Sequence, residues 1–463
     1  MRHHRLFPVP LALLCAVPFA LAQTVPPGGA TGAPPATPPG APPQAPAEEA
    51  PQTEAGRAYA QLLSTFQILE GSLKSPSRLA ESERAAVQRV LQRAEAFSER
   101  YPDHLGALAM QIQLLKWLDT DPQRVAGLFE RLMELRPDDV NVALLWAGER
   151  ERTEELEPEA VLALYRDLCE RFPDNPVACL EYGEHLRDQL RYDEAIELVR
   201  RIDPDPAEAP KLVYLLADCL FAEHHFEEAL AALESIPAGA IEDFELRRTV
   251  DRDKRYFGEY IEFWQQEQEL RAAEAEADDL PRAAIETARG RIVVELFEDQ
   301  APNTVANFIS LAESDFYAGT AFHRFVPNFM VQGGDPNSRP DASGTPGMGN
   351  PGYYIPDEHT REDHRNHFRD SLAMAKQTRP NTAGCQFYFN HRPTPWLNGR
   401  HTVFGRVIEG LEIVRSLREG DGITGITVLR KRDHAYEPET LPLVPPKPPT
   451  PERMPFTDRP SGG

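Results

Sequence analysis

The sequence contains little cysteine and lacks the cysteine spacings that build common sites. Five of its 463 residues are cysteine, and no two of them form a CxxC pair. We therefore expect buried free thiols and no network of structural disulfides. A bridge between Cys169 and Cys179 is the less favoured alternative. The sequence also shows no Cys-His or Ser-His-Asp arrangement, which argues against Cys385 as a catalytic nucleophile.

Lys and Arg are scarce over much of the chain. Residues 52–282 carry 27 Lys and Arg against 49 Asp and Glu, a net charge of −22, whereas residues 283–436 carry 17 against 18. An acidic surface repels phosphate backbones, so we expect no nucleic-acid partner. The acidity favours solubility, and attraction of basic protein partners is the alternative.

Long apolar runs are absent after the first 22 residues. A short basic start precedes an apolar stretch that ends in Ala20-Leu21-Ala22, which has the small-x-small pattern of a cleavage site. This pattern predicts an exported protein, periplasmic or secreted in a bacterium. No later stretch is long enough to span a membrane. The three terminal segments that we predict are a signal peptide at 1–22, a Pro/Ala-rich disordered linker at 23–54 and a Pro-rich disordered tail at 437–463.

Residues 55–280 show a helical periodicity with a longer repeat superimposed on it. Four Pro-Asp turn signals recur 31 to 36 residues apart, with apolar residues at i, i+3, i+4 spacing between them. Small residues twelve apart, Gly183 with Ala195 and Ala217 with Ala229, mark the places where paired helices touch. The pattern resembles the tetratricopeptide repeat, which implies an all-α helical-repeat solenoid. Such a solenoid commonly binds a protein partner, and a scaffold or dimerisation module without a ligand is the alternative.

Residues 283–436 have a different texture of short strands, glycines and aromatic residues. Residues 291–297 predict a strand, and Pro302 begins a helix whose apolar face includes Val305 and Phe308. Three ordered blocks then resemble the signature of the cyclophilins, which are peptidyl-prolyl cis-trans isomerases. They comprise FHRFVPNFMVQGGD at 322–335, LAMA to QFYFN at 372–390 and WLNGRHTVFG at 396–405. The resemblance implies a closed eight-stranded antiparallel β-barrel with two capping helices.

The reaction that this resemblance implies requires neither a metal nor a cofactor. Resonance gives a peptide bond a rotational barrier of about 18–20 kcal/mol, and X–Pro isomers exchange in tens to hundreds of seconds. Catalysis requires a group that favours the twisted amide, in which the prolyl nitrogen is pyramidal and its lone pair is localised. Arg324 fits this task, because a guanidinium is permanently charged and is a rigid donor.

The resemblance also assigns the other site residues, among which Gln332 holds the substrate backbone and His401 lies at the rim of an apolar slot for the proline ring. The predicted catalytic residues are Arg324, Phe329, Gln332 and His401. The predicted substrate-binding residues, which line the slot or the peptide groove, are Met330, Ala375, Gln386, Tyr388, Trp396 and Leu397. Each of these residues alone could belong to the core or the surface, and only their joint occurrence at family spacing carries the prediction.

Four features depart from the family pattern. Tyr388 stands where the family usually has Phe, and we expect altered selectivity rather than lost activity. Lys376 takes a groove position that is often Asn or Arg, and Cys385 takes the place of a small residue such as Ser. The loop at 336–348 is longer than the usual bacterial form and lies near the groove.

A cluster of histidines offers a competing hypothesis. His359, His364 and His367 lie among acidic residues, so a metal site is conceivable, but their spacing fits no zinc pattern. We therefore predict no metal and no cofactor.

The function that we predict is an exported peptidyl-prolyl isomerase that acts on proline-containing polypeptide clients as a folding factor, with helical repeats that bind a partner. The alternative is a non-catalytic proline-binding scaffold, which Tyr388 slightly favours.

Overall fold

The computed structural model describes residues 53–73, 75 and 78–443. The predicted signal peptide, nearly all of the predicted linker and most of the predicted tail lie outside these residues. Within the described ranges, no helix combines the length and the apolar character that a membrane span requires. The chain forms two compact units that meet between Ala178 and Cys179. The domain boundaries given above stay predictions.

The first unit is helical. Its helices are α1 (Glu54–Ser72), α2 (Glu81–Arg100), α3 (Leu105–Leu118), α4 (Pro122–Leu135), α5 (Val140–Thr153) and α6 (Pro158–Arg171), followed by the start of α7 (Pro176–Asp188). Asp121 and Asp139 cap α4 and α5 by accepting hydrogen bonds from backbone N–H groups of their first turns.

Stacked aromatic pairs join helices in this unit. Phe66 stacks on Trp117 with ring centroids 5.4 Å apart, and Phe129 stacks on Trp146 at 5.3 Å. Phe66 and Phe129 are buried, so both tryptophans pack on the helical core.

The second unit begins with four more helices. They are α8 (Tyr192–Ile202), α9 (Pro210–Ala222), α10 (Phe226–Ser235) and the long α11 (Phe244–Ala277). Small residues let these helices pack closely: a Cβ atom on Gly183 would lie 2.5 Å from Leu215 Cδ2, and Ala217 and Ala229 are fully buried. The small-residue positions marked by the sequence are therefore helix contacts.

An eight-stranded antiparallel sheet follows in the same unit. Its strands are β1 (Arg282–Thr287), β2 (Gly290–Leu296), β3 (Arg324–Val326), β4 (Met330–Gly333), β5 (Ser371–Met374), β6 (Phe387–Asn390), β7 (Val403–Glu409) and β8 (Ile423–Arg430). They are ordered β3-β4-β6-β5-β7-β2-β1-β8. Helices α12 (Pro302–Glu313) and α13 (Leu411–Ser416) pack against the sheet, and Phe308 of α12 meets Phe387 and Phe404 in the core.

The sheet is a curled half-barrel, so the prediction of a closed barrel is wrong. The edge strands β3 and β8 do not pair with each other, and an isolated bridge between Ala321 and Gly422 stands where closure would occur. Backbone hydrogen bonds at this point join the segment before β3 to the start of β8: Phe322 N donates to Asp421 O at 2.9 Å, and Ile423 N donates to Thr320 O at 2.7 Å. All three residues of strand β3 pair with β4 on its other side.

Two of the cysteines differ from the prediction. Cys169 and Cys179 are disulfide-bonded, which corrects the expectation of free thiols at these positions. Cys219 and Cys385 are free and buried, as expected. Burial raises the pKa of the Cys385 thiol, so the thiolate that a nucleophile needs is disfavoured at neutral pH.

Candidate functional site

Strand register brings the first and second sequence blocks together. Arg324 of β3 lies opposite Gln332 of β4, and Gln332 lies opposite Tyr388 of β6. Tyr388 in turn pairs with Ala373 of β5. Because paired residues in neighbouring strands point to the same face, Arg324, Gln332 and Tyr388 share one face of the sheet.

One side of the site is open to solvent and polar. Arg324 is exposed, and its Nη1 donates to Gln332 Oε1 at 3.4 Å. Gln332 Nε2 donates to Gln386 Oε1 at 2.8 Å, and Gln386 Nε2 donates to the Gly349 carbonyl at 2.8 Å. The Gln332 amide therefore holds the guanidinium from one side, and the rest of the Arg324 side chain is exposed. We call Arg324, Gln332 and Gln386 the open wall.

The long loop at 336–348 is anchored beside the open wall. The Asp335 carboxylate accepts hydrogen bonds from the backbone N–H groups of Gly347 and Gly349. At the start of the loop, Arg339 donates to the carbonyl oxygens of Phe316 and Ala318. Both ends of the loop are thus fixed to the fold, while Met348 stays 70% exposed next to Gly349.

The opposite side is apolar. Met330, Tyr388, Ala373 and Val403 are buried in one cluster, and the half-buried residues that pack against it include Phe329, Leu397 and Ala375. We call Met330, Tyr388 and Leu397 the buried wall, and we keep the name proline slot for the site that the sequence predicts beside the two walls. Trp396 is 40% exposed, with its ring 5.7 Å from that of Phe329.

His401 lies at the rim of this apolar side. Its Nδ1 donates to the Met374 carbonyl at 3.1 Å, and its ring meets that of Tyr388 edge-on with centroids 5.9 Å apart. Burial lowers the pKa of His401, so the imidazole is neutral at pH 7. The structure thus brings the ten predicted site residues to one face of the sheet, and their individual roles stay predictions.

The hydroxyl of Tyr388 has a buried partner. Tyr388 Oη lies 3.0 Å from His367 Nε2, and His367 Nδ1 lies 3.0 Å from Asn398 Oδ1. Burial lowers the pKa of His367 to about 3, so this side chain is a neutral hydrogen-bonding group. Sequence reasoning did not assign this role to His367 or Asn398. The signal was Tyr388 itself, since a hydroxyl in an apolar slot requires a partner.

The helices before the sheet also contact the site. Tyr192 of α8 donates to Asn328 Oδ1 at 2.9 Å, and Asn328, whose φ is +51°, precedes Phe329. Asp218 of α9 forms an ion pair of 2.6 Å with Arg392, and both side chains are buried. Burial opposes ionisation, but Arg392 holds the pKa of the Asp218 carboxyl below its usual range. No sequence motif marked these helix residues.

The competing histidine cluster does not assemble. His367 belongs to the Tyr388 network, whereas His364 Nδ1 bonds the Arg361 carbonyl at 2.7 Å. Glu358 accepts hydrogen bonds from the backbone N–H groups of Asn303 and Thr304 and so caps α12. Over the part of the chain that the structure describes, no group of three or more His, Cys, Asp and Glu side chains is arranged to hold a metal ion.

Lys376 takes part in a separate polar cluster near the groove. Its Nζ lies 3.4 Å from Asp357 Oδ2, and His359 Nδ1 lies 3.9 Å from the same oxygen. All three side chains are largely buried, so the Lys376 ammonium is a member of this cluster.

Comparisons with known proteins match the sheet region and part of the helical region. Residues 282–432 match the family model of the cyclophilin type peptidyl-prolyl cis-trans isomerase, and residues 191–246 match a tetratricopeptide repeat model. A peptidyl-prolyl cis-trans isomerase of Synechococcus elongatus is 44% identical over 152 residues, which are 32% of this chain and 97% of that protein. Peptidyl-prolyl cis-trans isomerase B of Bacillus subtilis is 44% identical over 138 residues, which are 30% of this chain and 90% of that protein.

A solved structure also matches this region. It is a cyclophilin type peptidyl-prolyl cis-trans isomerase of Cryptosporidium parvum in the presence of the dipeptide Ala-Pro, with 31% identity and a TM-score of 0.29. The match covers 32% of this chain and 98% of that one.

Proposed function

The chain belongs to the cyclophilin-type peptidyl-prolyl cis-trans isomerase family, and on this premise we propose that it is an exported folding factor whose helical repeats bind a protein partner. The single observation that supports catalysis at this site is the position of Arg324. Its exposed guanidinium shares a sheet face with Tyr388 of the buried wall, across the proline slot.

The proposed mechanism follows from the two walls. The proline ring of an X–Pro substrate enters the slot and packs on Met330, Tyr388 and Leu397. Gln332 and Gln386 hydrogen-bond the substrate backbone, and the free N–H groups of Arg324 donate to the prolyl nitrogen as its lone pair localises. This bond is stronger in the twisted amide than in either planar isomer, which lowers the barrier. No covalent intermediate is involved.

The assay that tests this proposal times the isomerisation of a short Ala-Pro peptide with and without the full chain. We expect the exchange rate to rise in proportion to protein concentration in the micromolar range. Peptide binding without faster exchange, observed as unchanged NMR exchange cross-peaks, would instead favour the alternative of a non-catalytic proline-binding scaffold.

The repeats suggest protein partners, and we place the partner surface on helices α1 to α6. In the matched segment 191–246, Tyr192, Asp218 and Phe226 already contact residues of the isomerase domain. The corresponding test compares two substrates, a short Ala-Pro peptide and an unfolded protein whose refolding rate is limited by proline isomerisation. Recruitment by the repeats predicts a higher kcat/KM for the unfolded protein, and an unfolded competitor without proline should remove the difference.

The export proposal rests on the first 22 residues alone. It is tested by fusing residues 1–30 to a reporter enzyme that is active only outside the bacterial cytoplasm. Leu13→Arg, which interrupts the apolar stretch, serves as the matched control. Equal reporter activity for both fusions would contradict the proposal, and N-terminal sequencing of the exported product should begin near Gln23.

A further inference from the structure

A closed circuit of hydrogen bonds connects the buried wall to helix α11. Tyr388 Oη lies 3.0 Å from His367 Nε2, and His367 Nδ1 lies 3.0 Å from Asn398 Oδ1. Asn398 Nδ2 lies 3.1 Å from the hydroxyl of Tyr260, which lies 2.9 Å from the backbone oxygen of His367. We call these four residues the Tyr260 circuit. Tyr260, in α11, and His367 are both fully buried.

One arrangement of hydrogens satisfies the whole circuit. The Tyr260 hydroxyl donates to the His367 carbonyl, so it accepts from Asn398 Nδ2. Asn398 Oδ1 then accepts both from His367 Nδ1 and from the backbone N–H of His367, which lies 2.9 Å away. His367 Nε2 carries no hydrogen and accepts from Tyr388. Each donor has an acceptor, so the circuit fixes a single tautomer of His367.

The circuit reaches two parts of the slot at once. Tyr388 is one of the three residues of the buried wall. Asn398 directly follows Leu397, and its backbone N–H bonds the Pro395 carbonyl at 3.2 Å, which closes the short turn that carries Trp396 and Leu397. A shift of Tyr260 would therefore move both Tyr388 and the turn that carries Trp396 and Leu397.

Aromatic side chains hold the Tyr260 ring in place. Its ring packs against Phe221, Phe226 and Phe368 with centroid distances of 5.2, 5.6 and 5.4 Å. Phe221 and Phe226 belong to the neighbouring helices α9 and α10, and Phe368 follows His367. The helices thus hold the ring from several sides while its hydroxyl alone reaches the slot residues.

We propose that Tyr260 and His367 are positioning residues for proline isomerisation, through which helix α11 fixes Tyr388 and the Pro395–Leu397 turn relative to Arg324. This inference rests on the proposed isomerase function. A phenylalanine at position 388, the usual family residue, has no hydroxyl to donate to His367. The Tyr388 hydroxyl therefore adds a link between the slot and the helices to the one that Tyr260 makes with Asn398.

The kinetic test uses the full chain with Tyr260→Phe, Tyr388→Phe and the double variant. Each single variant should raise KM for an Ala-Pro peptide about 3- to 10-fold with a smaller change in kcat, because the slot is displaced while Arg324 stays in place. The double variant should raise KM by less than the product of the two single effects, because both hydroxyls act through one circuit. Tyr214→Phe is the matched control: its hydroxyl bonds Asp253 at 3.0 Å within the helices, and its kinetics should match wild type.

A second readout does not depend on activity. The ¹⁵N resonance of His367 Nε2 should shift in Tyr388→Phe and also in Tyr260→Phe, but not in Tyr214→Phe. A folded Tyr260→Phe protein with wild-type KM and an unmoved resonance would overturn the inference. If that variant does not fold, Asn398→Asp, which keeps the oxygen facing His367, replaces it. An inactive wild-type protein would refute the proposed function, while the resonance and Ala-Pro binding would still decide the positioning role.

Discussion

The two walls of the proline slot are built in opposite ways. The open wall consists of the exposed Arg324 and the half-buried Gln332 and Gln386, which bond one another in or next to strands of the sheet. The buried wall depends on partners outside the sheet, since Tyr388 and the turn after Pro395 are held through His367 and Asn398 by Tyr260 of α11. In the mechanism that we propose, the open wall supplies the chemistry and the buried wall supplies the geometry.

Removing the buried ion pair between helix and sheet should have the largest effect, and it should act on stability. Asp218→Ala leaves the Arg392 guanidinium buried without its carboxylate. We expect the free energy of unfolding to fall by about 3–5 kcal/mol, measured by urea denaturation. Glu228→Ala removes an exposed partner of Arg200 and is the control, for which we expect a change below about 1 kcal/mol. Similar losses for both variants would contradict the prediction.

Arg324→Ala should have the next largest effect, and it should act on catalysis alone. Loss of a donor that binds the twisted amide should reduce kcat/KM about 10²- to 10³-fold in the peptide assay. Because Arg324 is exposed and makes one long hydrogen bond, the unfolding midpoint in urea should not change. Arg400→Ala, at another exposed arginine next to His401, should keep its activity. A stable protein with full activity after Arg324→Ala would remove the open wall from the mechanism.

Lowering the pH should reduce the free energy of unfolding through buried histidines, one of which, His367, bonds Tyr388 of the buried wall. Burial lowers the pKa of His367 and that of His391 to about 3, below the ordinary 6.5. Between these values the unfolded chain binds protons that the folded chain excludes, so stability is complete above about pH 6.5 and is lost as the pH falls. Each histidine should contribute up to about 1.4 kcal/mol per pH unit to that loss.

Urea titrations at pH 6.5, 5.5 and 4.5 measure this slope. His391→Gln removes one titrating group, so the loss of unfolding free energy per pH unit should be smaller in the variant by the contribution of that histidine. An equal slope in the variant would show that other groups dominate acid unfolding.

The smallest expected effect is on the pH dependence of catalysis above neutrality. Arg324 is permanently charged, burial lowers the pKa of His401, and burial raises the pKa of Tyr388 well above 10. No group of the slot therefore titrates between pH 7 and 9, and kcat/KM should vary by less than about twofold over that range. A bell-shaped profile in the peptide assay would indicate a general acid or base and would contradict a mechanism based on Arg324.

The open wall was predictable from the sequence because Arg324, Gln332 and Gln386 all lie in the blocks that resemble the cyclophilins, although Gln386 is 54 residues beyond Gln332. Arg324 and Gln332 lie in one hairpin, eight residues apart, and the period of a strand places them on one face. The buried wall was predictable only in its apolar residues. The Tyr260–His367 bond joins residues 107 apart, and no short motif encodes such a distance.

Two corrections have similar physical origins. Whether β3 meets β8 depends on the twist and length of all eight strands, so the strand pattern suggested a barrel that the tertiary fold leaves open. The disulfide-bonded state of Cys169 and Cys179 depends on where the chain places these thiols, which spacing alone did not indicate.

The amino-acid sequence by itself determined the family of the isomerase region, the repeat character of the helices and the guanidinium on the open wall, because these depend on local periodicity and on residue types at short spacing. Only the tertiary structure decided that the sheet stays open and that α11 supports the buried wall. Those properties arise from packing between distant segments, where a buried hydroxyl such as that of Tyr388 must find its partner wherever the fold provides one.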